Sequence, residues 1–288
     1  MKKHLLAVAF FALAASPAVA VTSYIVPDAF WPDDGDIAAE GSYASSFFTP
    51  QIAVPGDIVA LGPTGTRVDL DRVEVTPTVT NIATELTAPG TYRISTGEVL
   101  GRVATLVATP EGQWRALGEG ETVPTGAQST TLQTVTVADT YVTRATVTRE
   151  PVDAPGAQLQ IHPITHPNQV LVASGLDVEL LFNGQPFPNM PIVVYAAGDP
   201  ETKLDRYVVT DASGRAHVTF DTPGRYVLAV RHRAASPGTE AAMRSYTSSL
   251  TLEALTELPT IVEAPEAEPQ APARERRPAR RRVGRPDY

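Results

Sequence analysis

Short apolar runs with period-two alternation recur along the chain, and helical periodicity is almost absent. Residues 37–43 and 91–95 alternate in this way. So do residues 132–137, with a separate short run at 141–143. In the second half, residues 176–182 alternate cleanly, and runs at 192–195, 207–209, 217–220, 225–232 and 245–252 follow. These runs are rich in Val, Thr, Ile and Tyr, and turn residues bound them, as expected of strands in a sandwich. Asn183-Gly184 between apolar runs predicts a two-residue hairpin turn. Asp211-Ala212-Ser213-Gly214 predicts a second turn.

The stretch from Ala88 to Ile94 (Ala-Pro-Gly-Thr-Tyr-Arg-Ile) is echoed by Thr222 to Leu228 (Thr-Pro-Gly-Arg-Tyr-Val-Leu). A Gly-x-Tyr at a strand start suits the tyrosine corner of immunoglobulin-like sandwiches, in which the Tyr hydroxyl bonds back to the preceding backbone. The pattern therefore predicts an all-β protein of two immunoglobulin-like β-sandwich domains, residues 21–150 and 156–257, with residues 151–156 as the linker. Beyond them, residues 258–288 are first Pro/Ala/Glu-rich and then Arg-rich, which predicts a disordered C-terminal tail.

Composition narrows the chemistry. The 288 residues contain 26 prolines and 20 glycines, which disfavour long helices, and no cysteine, which excludes thiol catalysis, disulfides and thiolate metal sites. Lys2 and Lys3, an apolar run at 5–15 and Ala18-Val19-Ala20 form the pattern of a signal peptide cut after residue 20. The run is too short to span a membrane. Export to the periplasm is the expectation, with no membrane span in the mature chain. From residue 21 to 258 there are fourteen Arg and Lys against twenty-seven Asp and Glu, a net of −13, whereas 274–285 holds seven arginines and one glutamate. An acidic body repels nucleic acid, and the tail suits an anionic partner.

The chain has no nucleophile elbow, phosphate loop, dinucleotide fingerprint or His-Glu-x-x-His motif, and the expectation is a protein without enzymatic activity. His162 and His166 form the one close histidine pair. Pro163 and Pro167 favour an extended stretch or loop, where residues four apart lie roughly 13 Å from each other, too far for one metal ion. In the run 225–232, parity places His232 on the side of Tyr226, Leu228 and Val230, and His217 should face outward. His166 and His232 are the candidate metal ligands if the fold brings them together. Aromatic residues concentrate near the start of the mature chain, and Trp31 and Phe48 are candidates for an exposed binding patch.

Several stretches together resemble a known family. They include Thr22 to Pro27, Phe47 to Pro50, Gly90 to Gly97, Tyr141 to Arg144 and His166 to Asn168. Leu180 to Pro186, Thr210 to Arg215, Pro223 to Tyr226 and Arg231 to Arg233 complete the set. Over roughly residues 22–253 the chain resembles a large bacterial family of exported proteins with a domain of unknown function, family 4198. The resemblance implies periplasmic residence, an immunoglobulin-like second domain and an accessory role beside a membrane transporter for a divalent metal, nickel or cobalt. Relatives often carry a histidine at or next to the mature N-terminus, where this chain has Val21-Thr22. The other reading is an envelope module that binds a glycan or a protein through its loops and aromatic side chains.

Overall fold

The computed structural model describes residues 22–260. The expected signal peptide and residues 261–288 of the expected tail lie outside the described residues. Among the described residues no helix is long and apolar enough to cross a membrane.

The regular structure of the described chain is almost wholly strand, arranged in three layers. The central layer is a ten-stranded sheet to which both halves contribute. Its spatial order is Tyr207–Val209, Pro191–Ala196, Gly224–Ala235, Met243–Ala254, Ser129–Arg144, Gly90–Ser95, Val59–Leu61 and Arg67–Val68. Val99–Ala108 also pairs with Ser129–Arg144 and carries the short strand Trp114–Ala116. The halves join where Ser129–Arg144 runs parallel to Met243–Ala254, from Leu132 opposite Met243 to Thr140 opposite Thr251.

Period-two geometry gives each face of this sheet its own cover. In Ser129–Arg144, Ala138 and Val142 share a core with Tyr92, Ile94, Ile37 and Ile82. That core lies beneath a five-stranded sheet of the first half, formed by Thr22–Pro27, Asp36–Ala44, Ile52–Ala53, Arg72–Val75 and Thr80–Glu85. The odd-numbered residues Val135 and Tyr141 face the other way, into a core with Val178, Leu180, Leu228 and Leu250. Its cover is a four-stranded sheet of the second half, made of Leu159–Pro163, Leu176–Phe182, Gln185–Pro186 and Arg215–Val218. Each half thus supplies a sandwich, and the two sandwiches share the central sheet.

The turn chemistry behaves as the sequence predicts. Asn183 and Gly184 both have positive φ, 52° and 71°, and close the hairpin that pairs Phe182 with Gln185. Asp211 Oδ1 accepts from the backbone N–H groups of Ser213 and Arg215 at 2.8 and 2.9 Å. Both tyrosine corners form. The Tyr92 hydroxyl donates to the Ala88 carbonyl and accepts from the Ala88 N–H, each at 3.0 Å. The Tyr226 hydroxyl donates to the Thr222 carbonyl at 2.7 Å.

One strand assignment needs correcting. The runs 132–137 and 141–143 belong to a single sixteen-residue strand, Ser129–Arg144. Ala138 and Thr140 are fully buried, and the polar Asp139 that interrupts the apolar pattern is buried as well, because it is neutralised by an arginine on the adjacent strand.

The aromatic residues near the start form a seam between the halves. Tyr24, Val26, Ala44 and Phe47 pack against Tyr195, Val227 and Ala229 of the second half. The ring centroids of Phe47 and Tyr195 are 4.5 Å apart. Backbone hydrogen bonds lock the same seam, from Phe47 N–H to the Asp199 carbonyl at 3.0 Å and from Glu201 N–H to the Ser45 carbonyl at 2.7 Å. Nearby, the buried Glu201 carboxylate accepts from the Thr22 hydroxyl and from Arg231. Burial raises its pKa against the pull of these two donors.

Candidate functional site

Three of the stretches that carry the family resemblance, 90–97, 141–144 and 166–168, converge on the odd-numbered face of the central sheet in the first half. There the segment between the halves replaces a covering sheet. Thr91 and Thr143 face each other across paired strands with hydroxyl oxygens 2.9 Å apart. The Thr143 hydroxyl donates to Asn168 Oδ1 at 3.0 Å, and Asn168 Nδ2 donates to the Tyr141 carbonyl at 2.8 Å. His166 completes the network. Its Nδ1 accepts from the Asn168 N–H at 3.2 Å, so Nε2 carries the proton and donates to Thr91 Oγ1 at 3.0 Å and the Thr148 carbonyl at 3.2 Å. Every residue of this network except Thr148 is buried.

Two residues along the strand, Arg93 and Asp139 form an ion pair whose side chains are 4% and 6% exposed. Contact is bidentate, Nε to Oδ1 at 3.2 Å and Nη2 to Oδ2 at 2.7 Å. A further Arg93 N–H points at the Ala154 carbonyl at 3.4 Å. The expected linker contains a helical turn, Glu150–Asp153. Arg149 holds it from the other side, donating to the carbonyls of Pro163 and Ile164 and pairing with Asp153 at 2.6 Å. The connecting segment is thereby fixed to the sheet by charge-assisted and neutral hydrogen bonds at both ends.

Burial, the largest influence, lowers the His166 pKa to about 4. The imidazole is therefore neutral in the folded protein at pH 7. Below the ordinary histidine range the unfolded chain takes up a proton that the folded form refuses. Stability is then expected to fall as pH drops from about 6.5 to about 4, by on the order of 2 kcal/mol after allowance for solvent screening. Urea denaturation at pH 7 and pH 4.5 checks this. The difference between the two pH values should shrink clearly in His166→Gln.

The proposed metal ligands do not meet. Asn168, the close neighbour of His166, bonds at Tyr141, beside Thr140 and its parallel partner Thr251. His232 pairs in register with Tyr246. Five to six residues of strand separate these levels, roughly 18 Å. His166 has both ring nitrogens engaged within the network. His232 lies with its ring edge-on to Phe182 and Phe187, at centroid distances of 4.9 and 4.7 Å, and burial lowers its pKa. Its inward direction and the outward direction of His217 match the parity argument. Among the described residues no three His, Asp or Glu side chains come together as a metal-holding group.

The expected aromatic patch is also not exposed. Trp31 is half-buried, and its indole N–H donates to the Asn168 carbonyl at 2.9 Å. Phe48 is half-buried against Tyr24 and Phe47. Trp31 turns toward the buried Asn168 and Phe48 toward the seam of Tyr24 and Phe47, where apolar surface gains more from packing than from display.

Polar residues at inward-facing strand positions escaped the sequence reading. Gln133 has the parity of the core residues Val135 and Tyr141, so its position among alternating apolar residues could have singled it out. It is 5% exposed. His162, which the sequence pairs with His166, lies on the face of Leu159–Pro163 opposite the core residues Leu159 and Ile161, between Asp153 and Glu179, with Nε2 3.3 Å from Asp153 Oδ1.

The paired sheets, tyrosine corners and pinned connecting segment define a β-sandwich scaffold with immunoglobulin-like halves. The family described as a domain of unknown function (DUF4198) matches residues 18–234, and the chain belongs to that family. No curated protein matches the chain. Among solved structures, the D0-D1 domain of intimin is similar at 14% identity, covering 82% of this chain and 99% of that one, with a TM-score of 0.20.

Proposed function

We propose that this protein is an exported, non-enzymatic β-sandwich module that engages another component of the cell envelope in the periplasm. The observation that supports this reading best is how its most reactive side chains are used. His166, Asn168, Arg93 and Asp139 all direct their hydrogen bonds into the junction that holds the connecting segment. Groups engaged in this way rigidify a scaffold, and a rigid scaffold suits presentation of a surface to a partner. The partner would be a membrane transporter or another envelope component, and the acidic body disfavours nucleic acid. A role in nickel or cobalt uptake rests on the family resemblance alone.

The test is expression of the full chain in a Gram-negative host, followed by osmotic-shock release and intact mass of the product. The reading predicts release into the shock fluid with a mass that begins at Val21. A full-length product retained in the cytoplasm would overturn export. Thermal denaturation of the released protein with micromolar nickel or cobalt separates the metal reading. An ion at about 100 times its dissociation constant would stabilise by about 2.7 kcal/mol, and a shift of that size lost in His166→Ala or His232→Ala would replace the present reading.

A further inference from the structure

The two covering sheets arrange charge differently on their outer faces. On the four-stranded sheet, register sets Asp177 opposite His217 and Glu179 opposite Arg215. The His217 ring bonds Asp177 at 2.8 Å, and Arg215 Nε lies 3.8 Å from Glu179. Acid meets base there. On the five-stranded sheet, register sets Asp36 opposite Glu85, two carboxylates on one exposed face. Like charges directly opposite each other destabilise a sheet. The next row is Ala38, Ala83 and Arg72, and the row after it is Glu40, Asn81 and Glu74. All of these side chains are exposed, because they alternate with the inward-facing core residues Ile37, Ala39 and Ile82.

Small Ala38 and Ala83 floor an open trough of about 440 Å³, which Glu40, Asn81, Glu74 and Arg225 also line. The cations on this face are already engaged. Arg72 pairs with Glu74, and Arg225 donates to the Asp28 carbonyl at 2.7 Å. The loop that leads into the first row adds exposed Asp33 and Asp34. Among the described residues, Asp33, Asp34, Asp36, Glu40 and Glu85 have no ion-pair partner. Nor do they gather as a metal-holding group. Asp36 and Glu40 lie four residues apart on one strand, roughly 13 Å, so the complement of this face is a series of cations rather than one ion.

The chain itself carries such a series, seven arginines against one glutamate in residues 274–285. We propose that this arginine-rich segment docks on the outer face of the five-stranded sheet of its own chain, with its guanidinium groups on Asp36, Glu85 and Glu40. Guanidinium groups suit the site because they bind carboxylates through two parallel hydrogen bonds. The path is short enough. The last strand ends at Ala254, and register sets its Glu253 opposite Arg225, a residue of the trough. Twenty positions separate Ala254 from Arg274. Fully extended, they span about 66–72 Å. The outer face of the four-stranded sheet offers no equal match, since its acidic groups already face basic ones. The inference stands apart from export and from any envelope partner.

The sequence has no cysteine, so introduced pairs report the contact without interference. Ala83→Cys combined with Val283→Cys places one thiol on the floor of the trough and one in the tail. Ala212→Cys combined with Val283→Cys is the control, with the first thiol on an exposed turn of the second half. The reduced full chain is oxidised with glutathione disulfide, and each rate is referred to that cysteine's own reaction with a small thiol reagent. Docking raises the local concentration of the tail, so closure at position 83 should be about tenfold or more faster than at 212. In about 0.5 M salt the Debye length falls to roughly 4 Å, and the preference should fade. Glu40→Lys with Glu85→Lys should remove it at low salt. These positions are exposed, so the variants should keep the wild-type Tm, which separates lost docking from lost fold. Equal rates at 83 and 212, or a preference for 83 that survives both salt and charge reversal, would overturn the proposal. Disulfides that form between chains in proportion to protein concentration would overturn it in favour of the tail of a second copy.

Discussion

Arg93→Ala is expected to cost about 3–5 kcal/mol, the loss typical of breaking a buried ion pair by removing one partner. The side chains of Arg93 and Asp139 are 4% and 6% exposed and meet through two hydrogen bonds. Alanine at position 93 leaves the Asp139 carboxylate buried without its counter-charge, and it removes the N–H directed at the Ala154 carbonyl. The damage should therefore reach the connecting segment as well as the sheet. Against a typical stability of about 5–15 kcal/mol, this is a large fraction. A second variant isolates the cause. Arg93→Met combined with Asp139→Leu removes both charges and keeps volume, so it should recover most of the loss. Urea denaturation of the three proteins gives the comparison. A loss below about 1 kcal/mol in Arg93→Ala would show that the pair does not hold the junction.

The sequence made the second half more legible than the first, and the reason is physical. Leu176–Phe182 alternates between a buried face and a more exposed one, so its bounds follow from period-two reasoning. Thr22–Pro27, the edge strand of the five-stranded sheet, is buried at every position, with Ile25 in one core and Tyr24 and Val26 in the seam between the halves. Its alternation signal is therefore absent, and its aromatic neighbours look like candidates for a surface patch. Local signals predicted local features well, including the Asn183-Gly184 hairpin and the two tyrosine corners. The parallel pairing of Ser129–Arg144 with Met243–Ala254 left no such trace. It joins residues 111 positions apart, and nothing in either strand names the other.

The site was partly legible. Parity placed His232 inward and His217 outward, because both lie on regular strands. His166 lies in a turn, where parity has no meaning, and its role follows from Thr91, Thr143 and Asn168, which only the fold brings near. Gln133 was readable in principle, since a polar residue at a core parity position must find a partner or lack one.

The central claim is that both halves form one cooperative body, joined by the shared sheet and by the aromatic seam. Phe47 tests it most directly. It is 1% exposed and packs on Tyr24, Phe48 and the Tyr195 ring of the other half. Phe47→Ala removes that contact and leaves a cavity, at an expected cost of about 3–5 kcal/mol. For a chain of this size each kcal/mol moves Tm by about 2–4 °C, so a fall of roughly 10 °C follows. The measurement is differential scanning calorimetry of the wild type and Phe47→Ala side by side. One cooperative body predicts a single transition in the wild type, with calorimetric and van't Hoff enthalpies equal, and a downward shift of that whole transition in the variant. Two resolved transitions in the wild type, with only one of them moved by Phe47→Ala, would contradict it.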